Sequence, residues 1–131
     1  VTFLVTLGQI KTAMPRKRVF ERLETLGAKL ATVISPLAYV SKYSVIDRGT
    51  IVFHHALINS NAKIGKNCIV NSKALVEHDA VIGDHCHIST AAVVNGGTEV
   101  GECSFVGSNS TVVHGIKNAN SSFIKAGTLV K

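Results

Sequence analysis

Residues 64–88 read IGKNCIVNSKALVEHDAVIGDHCHI. Within this stretch every sixth residue is Val or Ile, and a small residue follows four places after each of them. Outward from this stretch, the same register extends from Val40 to Val130 and is broken by a polar residue only at Asn118. A strict six-residue period indicates a solenoid, because neither an α-helix nor a simple alternating strand repeats at that interval.

A hexapeptide period predicts a parallel β-helix, in which three hexads form one triangular coil. Each hexad supplies a short strand and a corner, with the aliphatic residue inside the prism and the small residue under the bend. Coils stack at the strand spacing of about 4.8 Å, so five coils give a prism roughly 24 Å long. We therefore predict a mainly β fold, with a left-handed parallel β-helix over residues 36–131. Its left-handed winding is an exception to the right-handed crossover rule.

Residues 1–35 follow a different pattern. VTFLVTLG at 1–8 predicts a buried strand that ends in a turn, and Pro15 suits the first turn of a helix. LATVI at 30–34 predicts a second strand. A strand–helix–strand unit normally belongs to a larger parallel sheet. The sequence also opens in mid-strand, so we predict a small and incomplete βαβ domain.

Composition limits the classes of function. A hydrophobic content of 46% with 17% charged residues is typical of a folded core, and no run of about 18 apolar residues predicts a membrane span. The net charge of +6 suits phosphate-bearing small molecules, while 5% aromatic residues argue against nucleic-acid binding. Three cysteines and no signal-peptide pattern predict free thiols and a cytoplasmic protein.

The coil register decides which polar residues can meet. His78 stacks between Ser60 and Gly96 and lies two coils below His114. His87 is half a coil away from His78, so the two can share a site only between neighbouring prisms. The remaining histidines fall at outward or corner positions and are expected on the solvated surface; they are His54, His55 and His85.

The surroundings of His78 suggest acid–base chemistry. Glu77 and Asp79 flank it, and a carboxylate that accepts the ring N–H fixes the tautomer and raises the basicity of the other nitrogen. Gly96 leaves space directly above, where a substrate can approach. Spacing alone does not distinguish this general base from a solvated histidine on the prism surface.

Two other chemistries are open to a hexad prism. Gamma-class carbonic anhydrases bind zinc between subunits through histidines, two of which are two coils apart, as are His78 and His114. The third ligand position is Ala119, so a three-histidine site lacks one ligand and no metal site is predicted. Cys86 and Cys103 are candidate thiol nucleophiles, but neither has a base in its own column.

Residues 64–97, IGKNCIVNSKALVEHDAVIGDHCHISTAAVVNGG, resemble the hexapeptide-repeat acyltransferases. The closest resemblance is to the sialic acid O-acetyltransferase-like group, which includes N-acetyltransferases of nucleotide-linked 4-amino sugars. The resemblance covers about residues 2–131. It implies a cytoplasmic homotrimer that uses acetyl-CoA as co-substrate, with three sites between adjacent prisms.

The resemblance also implies roles for single residues in acetyl transfer. His78 matches the general base that takes the proton from the acceptor amine or hydroxyl, and Glu77 matches the acidic residue that supports that base. His87 matches the histidine that reaches the acetyl carbonyl of acetyl-CoA. Gly96 matches a backbone donor close to the thioester.

For the acceptor, Asn71 matches a polar residue near the sugar. Residues 1–35 match a nucleotide-sugar-binding domain, in which Gly8 and Gln9 are candidate nucleotide contacts. The family's glycine-rich loop before the first strand and its further C-terminal coil are absent from this sequence, and Asn118 stands where an Ile is regular. These departures keep a non-catalytic trimeric scaffold open as the alternative from another class.

Overall fold

The computed structural model describes all residues from Val1 to Lys131. It contains one helix, α1 (Met14–Thr25), and no helix has the length and hydrophobicity needed to cross a bilayer. The strands are β1 (Thr2–Phe3), β2 (Lys29–Leu30), β3 (Val33–Ile34), β4 (Tyr39–Val40), β5 (Val45–Ile46), β6 (Ile51–Val52), β7 (Leu57–Ile58), β8 (Lys63–Ile64), β9 (Ile69–Val70), β10 (Leu75–Val76), β11 (Val81–Ile82), β12 (His87–Ile88), β13 (Val93–Val94), β14 (Glu99–Val100), β15 (Phe105–Val106), β16 (Thr111–Val112), β17 (Lys117–Asn118), β18 (Phe123–Ile124) and β19 (Leu129–Val130).

Strands β3 to β19 form a triangular prism with three parallel sheets. Face 1 has the order β18-β15-β12-β9-β6-β3, face 2 the order β19-β16-β13-β10-β7-β4, and face 3 the order β17-β14-β11-β8-β5. Each strand therefore pairs with the strand one coil away; Val76, for example, pairs with Ile58 below and Val94 above. The predicted fold class, a parallel β-helix of hexapeptide repeats with about five coils, is confirmed.

The hexad aliphatic residues fill the prism as ladders. The core is one cluster of 19 buried residues, and the middle rungs of face 2, Ile58, Val76, Val94 and Val112, are completely buried. Small corner residues, among them Ala74, Ala92 and Ser110, are fully buried and complete the packing around these rungs. This core positions the outward residues of every coil on straight columns along the prism.

The corners use a left-handed backbone. Ten non-glycine residues have positive φ, all between 54° and 60°, and one of them is Asp79. Asn and Asp tolerate this region better than most residues because their short polar side chains bond locally. The sharp corner also turns the side chain of Asp79 toward its neighbour His78.

The N-terminal unit is smaller than predicted. β1 pairs in parallel with β2, but the predicted strand at 30–34 is divided. Its last residues form β3, which pairs with β6 of the prism. The physical reason is the hexad register: Ile34 stands six residues before Val40, so the first coil already includes it.

Helix α1 packs on the corner between face 3 and face 1. Arg16, 1% exposed and without an ion pair, donates hydrogen bonds to the carbonyl oxygens of Val5 (2.5 Å) and Asn67 (3.2 Å). Phe20 is fully buried and meets the His85 ring edge-on, with ring centroids 5.5 Å apart. The expectation that His85 is solvated is therefore wrong, because α1 covers its corner. His54 and His55 are exposed as predicted.

Candidate active site

His78 follows β10 at the corner between face 2 and face 3. Its side chain is 55% exposed, and its Nδ1 lies 2.8 Å from Oδ2 of Asp79. Because a carboxylate can only accept, the ring proton is on Nδ1 and the neutral ring has its lone pair on Nε2. The unprotonated nitrogen of the candidate base, Nε2, lies over Gly96 of the next coil.

Gly96, one coil above, leaves the space that the His78 ring occupies. A Cβ placed on Gly96 would come within 2.8 Å of both Nε2 and Cε1 of His78. The φ of Gly96 is not positive, so the imidazole rather than the backbone requires a glycine here. The N–H of Gly96 donates no hydrogen bond within the chain. The unpaired backbone N–H of Gly96, a buried residue, and Nε2 of His78 therefore lie at the same level of the prism.

The two carboxylates beside His78 have different positions. Oε2 of Glu77 accepts from Nδ2 of Asn59 (2.8 Å) and from the backbone N–H of His78 (3.2 Å), so it does not reach the imidazole. Within one protomer Asp79 orients the ring, and Glu77 holds the backbone of the corner. The resemblance assigned the supporting role to Glu77; in this chain the positive φ of Asp79 gives the contact with the ring to that residue.

The Asp79 carboxylate sets the electrostatics of this corner. Its hydrogen bond to the ring raises the pKa of His78, and the same contact lowers the pKa of Asp79. Nδ2 of Asn61, one coil below, donates to Oδ1 of Asp79 at 2.5 Å and so holds the carboxylate in place. Sequence reasoning missed Asn61, although its column position beneath Asp79 was available from the register.

His87 lies on face 1, away from His78, and is only 7% exposed. Its Nδ1 lies 2.5 Å from the carbonyl oxygen of Gln9, so Nδ1 bears the proton. Oδ1 of Asn71 accepts from the N–H of Ser72 (2.8 Å), which orients the amide so that Nδ2 donates to Nε2 of His87 (3.1 Å). Burial lowers the pKa of His87, so the ring is neutral and its Nε2 is an acceptor.

This pairing changes what His87 and Asn71 can offer a substrate. An acetyl carbonyl oxygen needs a hydrogen-bond donor, whereas neutral His87 has its only N–H on the carbonyl of Gln9. Asn71 uses both atoms of its amide in contacts within the chain. Two residues that the resemblance assigns to different substrates are therefore partners of each other in the protomer. Their roles in binding stay predictions.

Gln9 and Gly8 differ in accessibility. The Gln9 side chain is 3% exposed, and its Nε2 donates to the carbonyl oxygen of His85 at 2.9 Å. It fastens the N-terminal segment to the prism, and the role of Gln9 as a candidate nucleotide contact stays a prediction. Gly8 is exposed and has no atom within 4 Å of a Cβ placed on it, which leaves its backbone open to a ligand.

The alternative chemistries have the following geometry. His114 is exposed, and its Cε1 would lie 3.7 Å from a Cβ on Gly97. No group of three or more His, Cys, Asp or Glu side chains is arranged to hold a metal ion. Contact with the Cys68 thiol, together with burial, raises the pKa of Cys86, and burial raises the pKa of Cys103. Both are therefore held as thiols rather than thiolates.

Solved structures share this prism and its N-terminal unit. The acetyltransferase domain of PglB from Neisseria gonorrhoeae FA1090 matches with a TM-score of 0.90 and 28% identity, over 93% of this chain and 60% of that chain. A variant of perosamine N-acetyltransferase from Caulobacter crescentus matches with a TM-score of 0.90 and 30% identity, over 93% of this chain and 58% of that chain. The predicted family resemblance is confirmed.

The first neighbour is thus an acetyltransferase domain and the second a perosamine N-acetyltransferase. The Neisseria gonorrhoeae domain was also solved in complex with acetyl coenzyme A, and PerB from Caulobacter crescentus in complex with CoA and GDP-perosamine. This chain spans about three fifths of the length of these proteins. No family model matches the chain, and no curated protein matches it in sequence.

Proposed function

We propose that this chain is the catalytic part of an acetyltransferase that moves an acetyl group from acetyl-CoA to the amino group of a nucleotide-linked sugar. The observation that carries the proposal is the corner at His78, where Asp79 holds Nδ1 and Nε2 faces the side-chain-free Gly96. The ligands of the structural neighbours, CoA and a nucleotide-linked amino sugar, support this class of reaction.

The proposed reaction is direct transfer between the two bound substrates. Nε2 of His78 takes a proton from the acceptor amine as the nitrogen attacks the thioester carbonyl carbon. The C–S bond then breaks, and the imidazolium returns its proton to the CoA sulfur, so the base is regenerated. General-base help of this kind contributes roughly 10²–10⁴-fold in rate.

The developing oxyanion needs a donor, and the unpaired N–H of Gly96 is the proposed one. One such donor contributes about 10²–10³-fold. His87 would serve as a second donor only with Nε2 protonated, a state that burial opposes. Glu77 accepts hydrogen bonds from Asn59 and from the backbone N–H of His78. We propose that these bonds fix the backbone that carries the base.

We further propose a homotrimer in which face 2 contacts a neighbouring prism. The outward residues of face 2 are mostly apolar; they are Tyr39, Leu57, Leu75, Val93, Thr111 and Leu129. Those of face 3 include charged side chains at Lys63, Glu99 and Lys117. A continuous apolar stripe on one side of a monomer is typical of an interface. His78 lies at the edge of face 2, so a neighbouring prism packed on face 2 would form one side of a site around His78.

Light scattering checks the assembly. At micromolar concentration the protein should have three times the mass of its 13.9 kDa chain. Substituting Leu75 by Asp on face 2 should shift the population toward monomer, whereas the matched change Val81→Asp on face 3 should leave it trimeric. A monodisperse wild-type monomer would contradict a site shared between prisms.

For the remainder of the molecule we propose that residues 1–35 serve the nucleotide part of the acceptor, with the exposed backbone of Gly8 as a contact. We also propose a cytoplasmic location, because all three cysteines are free, as a reducing compartment favours.

Thiol release from acetyl-CoA tests the activity. The protein is incubated with acetyl-CoA and, in turn, with nucleotide-linked 4-amino sugars or with sialic acid as a hydroxyl acceptor. Release that depends on an amino acceptor supports N-acetylation, and release with sialic acid alone would redirect the proposal to O-acetylation. A well-folded trimer that releases no thiol with any acceptor would instead be the non-catalytic scaffold.

The pH dependence of the reaction should respond to Asp79→Asn. His78 acts as base only when unprotonated, so kcat/KM rises with pH through its pKa, which Asp79 holds above the ordinary value of about 6.5. The neutral amide removes that effect, and the acid limb of the profile should therefore move to lower pH with a lower plateau. A pH profile of kcat/KM for both proteins measures this, and an acid limb that moves to higher pH or stays in place would contradict the assigned pair.

A further inference from the structure

The triplet NSN at residues 59–61 lies directly beneath the triplet EHD at residues 77–79. Strands β7 and β10 pair in register one coil apart, so each residue of the lower triplet stands under its counterpart in the upper one. The lower triplet has an asparagine at each end, and the upper triplet has a carboxylate at each end. Both asparagines donate a side-chain hydrogen bond to the carboxylate directly above. The two carboxylates that flank the candidate base are therefore held from the coil below.

The Asp79 carboxylate uses its two oxygens for two different partners. Oδ2 lies 2.8 Å from Nδ1 of His78, and Oδ1 accepts from Nδ2 of Asn61 at 2.5 Å. The next residue up the same column is Gly97, which has no side chain to offer a third contact. Asn61 is thus the one side chain besides the base itself that orients this carboxylate.

The contact depends on the backbone of the corner. Asn61 and Asp79 both have a left-handed conformation, with φ of 59° and 60°, so their side chains leave the prism in the same direction. At the strand spacing of about 4.8 Å, an amide and a carboxylate stacked in this way come within hydrogen-bond distance. Asn109 has the same conformation at another corner, with φ of 55°, but its column neighbours are Ala91 and Gly127. It is exposed and pairs with no carboxylate.

The amide of Asn61 also affects the charge on its partner. A hydrogen bond donated to a carboxylate favours the ionised form. The bonds from His78 and from Asn61 accordingly lower the pKa of Asp79. When His78 takes a proton on Nε2 the ring becomes an imidazolium, and a weakly basic carboxylate stabilises that cation without removing its Nδ1 proton.

We propose that Asn61 is a positioning residue for the candidate base, an inference that rests on the proposed function. By occupying Oδ1, its amide fixes the plane of the Asp79 carboxylate. Oδ2 is then aimed at Nδ1 of His78, so the proton stays on Nδ1 and the lone pair stays on Nε2. Asn61 acts through Asp79 alone and makes no contact with the ring.

Nitrogen NMR of the protein without substrates tests the orientation of the ring. Asn61→Gly removes the amide without backbone strain, because glycine accepts a positive φ. In the wild type the neutral His78 ring should have its proton on Nδ1 only, whereas in Asn61→Gly both tautomers should be populated, since the carboxylate is free to turn away. The His78 signal is the one that His78→Ala lacks. Asn109→Gly, the same change at the same φ, should leave the His78 tautomer unaltered.

Turnover should follow the tautomer. Asn61→Gly should lower kcat about fivefold, the rate equivalent of one ordinary hydrogen bond, and should leave the KM values for acetyl-CoA and the acceptor nearly unchanged. Asn109→Gly should keep the wild-type kcat. Because Asn61 and Asn109 are both exposed, all variants should melt like the wild type.

Asn61→Asp tests the charge, and Asp also tolerates this backbone. A further carboxylate next to Asp79 adds negative charge near the imidazolium and should raise the pKa of His78, so the acid limb of kcat/KM moves to higher pH. Asn109→Asp adds the same charge at another corner and should leave the limb in place. In the wild type, Asp79 and Glu77 are the charged groups that raise the pKa of this ring. The other titratable side chains of its column lie two coils away; they are Lys42 and His114.

The results separate this inference from the proposed function. Asn61→Gly with the Nδ1 tautomer alone and with wild-type kcat would overturn the positioning role and leave acetyl transfer intact. An acid limb that stays in place or moves to lower pH in Asn61→Asp would also overturn it. If the wild type transfers no acetyl group to any acceptor while its His78 tautomer responds to Asn61→Gly, the proposed function is refuted and the hold of Asn61 on the ring is retained.

Discussion

Replacing His78 by Ala is expected to lower turnover by roughly 10²–10⁴-fold, the range that a general base contributes. The imidazole is more than half exposed and packs on no core residue, so its loss should leave the fold unchanged. Its Nδ1 is held by Asp79 and its unprotonated Nε2 lies over Gly96, so a lone pair is available on a fixed ring. Single-turnover acetyl transfer at saturating acetyl-CoA measures the chemical step directly.

His114→Ala is the matched control, since His114 is an exposed imidazole in the same column two coils above. It should slow the chemical step far less than His78→Ala if the reaction is acetyl transfer. In a zinc enzyme the two substitutions should be about equally damaging, and both should lose metal. Assays of acetyl transfer and of bound zinc on the same three proteins therefore separate the two chemistries. Full activity in His78→Ala would remove it as the base.

Gly96→Ala tests the same site by adding a methyl group that would clash with the His78 ring. The added methyl group would come within 2.8 Å of Nε2 and Cε1 of His78, so the ring must turn away from its position over Gly96. Because the φ of Gly96 suits alanine, the backbone should keep its path and its N–H. We therefore expect a loss of rate without a loss of stability. Gly97→Ala is not equivalent, because φ there is +66° and strain would be added.

The largest effect on stability is expected for Val76→Asp, which should lower the free energy of unfolding by about 4 kcal/mol. Val76 is completely buried between Ile58 and Val94 in the face 2 ladder. The core cluster around it consists of Val, Ile, Ala and Cys side chains, so a carboxylate there would have no cation to pair with. Urea denaturation followed by circular dichroism gives the change.

Lys73→Asp is the control for Val76→Asp. Lys73 is exposed at a corner with a φ of 59°, a conformation that Asp tolerates, so its stability should change by about 0.5 kcal/mol at most. Ile82→Asp, on the face 3 ladder, should behave like Val76→Asp because its side chain is equally buried. Similar denaturation midpoints for all three variants would show that the assigned inward and outward positions are incorrect.

The prism and the column that contains His78 can be predicted from the residue pattern alone. The structure of a hexad depends mainly on its own residues, because one aliphatic residue and one small residue in every six specify a strand and a corner without any distant partner. Residue i then stacks beneath residue i+18, so the period alone puts Gly96 above His78. The same arithmetic, extended by one hexad, would have placed Ile34 in the first coil.

The contacts between polar side chains, in contrast, depend on the three-dimensional packing. Asp79 rather than Glu77 holds the His78 ring, because side-chain direction at a corner depends on a positive φ that the residue pattern does not specify. Nδ1 of His87 donates a hydrogen bond to the carbonyl oxygen of Gln9, and these residues are 78 positions apart in the chain. A periodic sequence fixes neighbours within and between coils, whereas the packing of a non-repeating segment against the prism depends on shape and on hydrogen bonds that no period encodes.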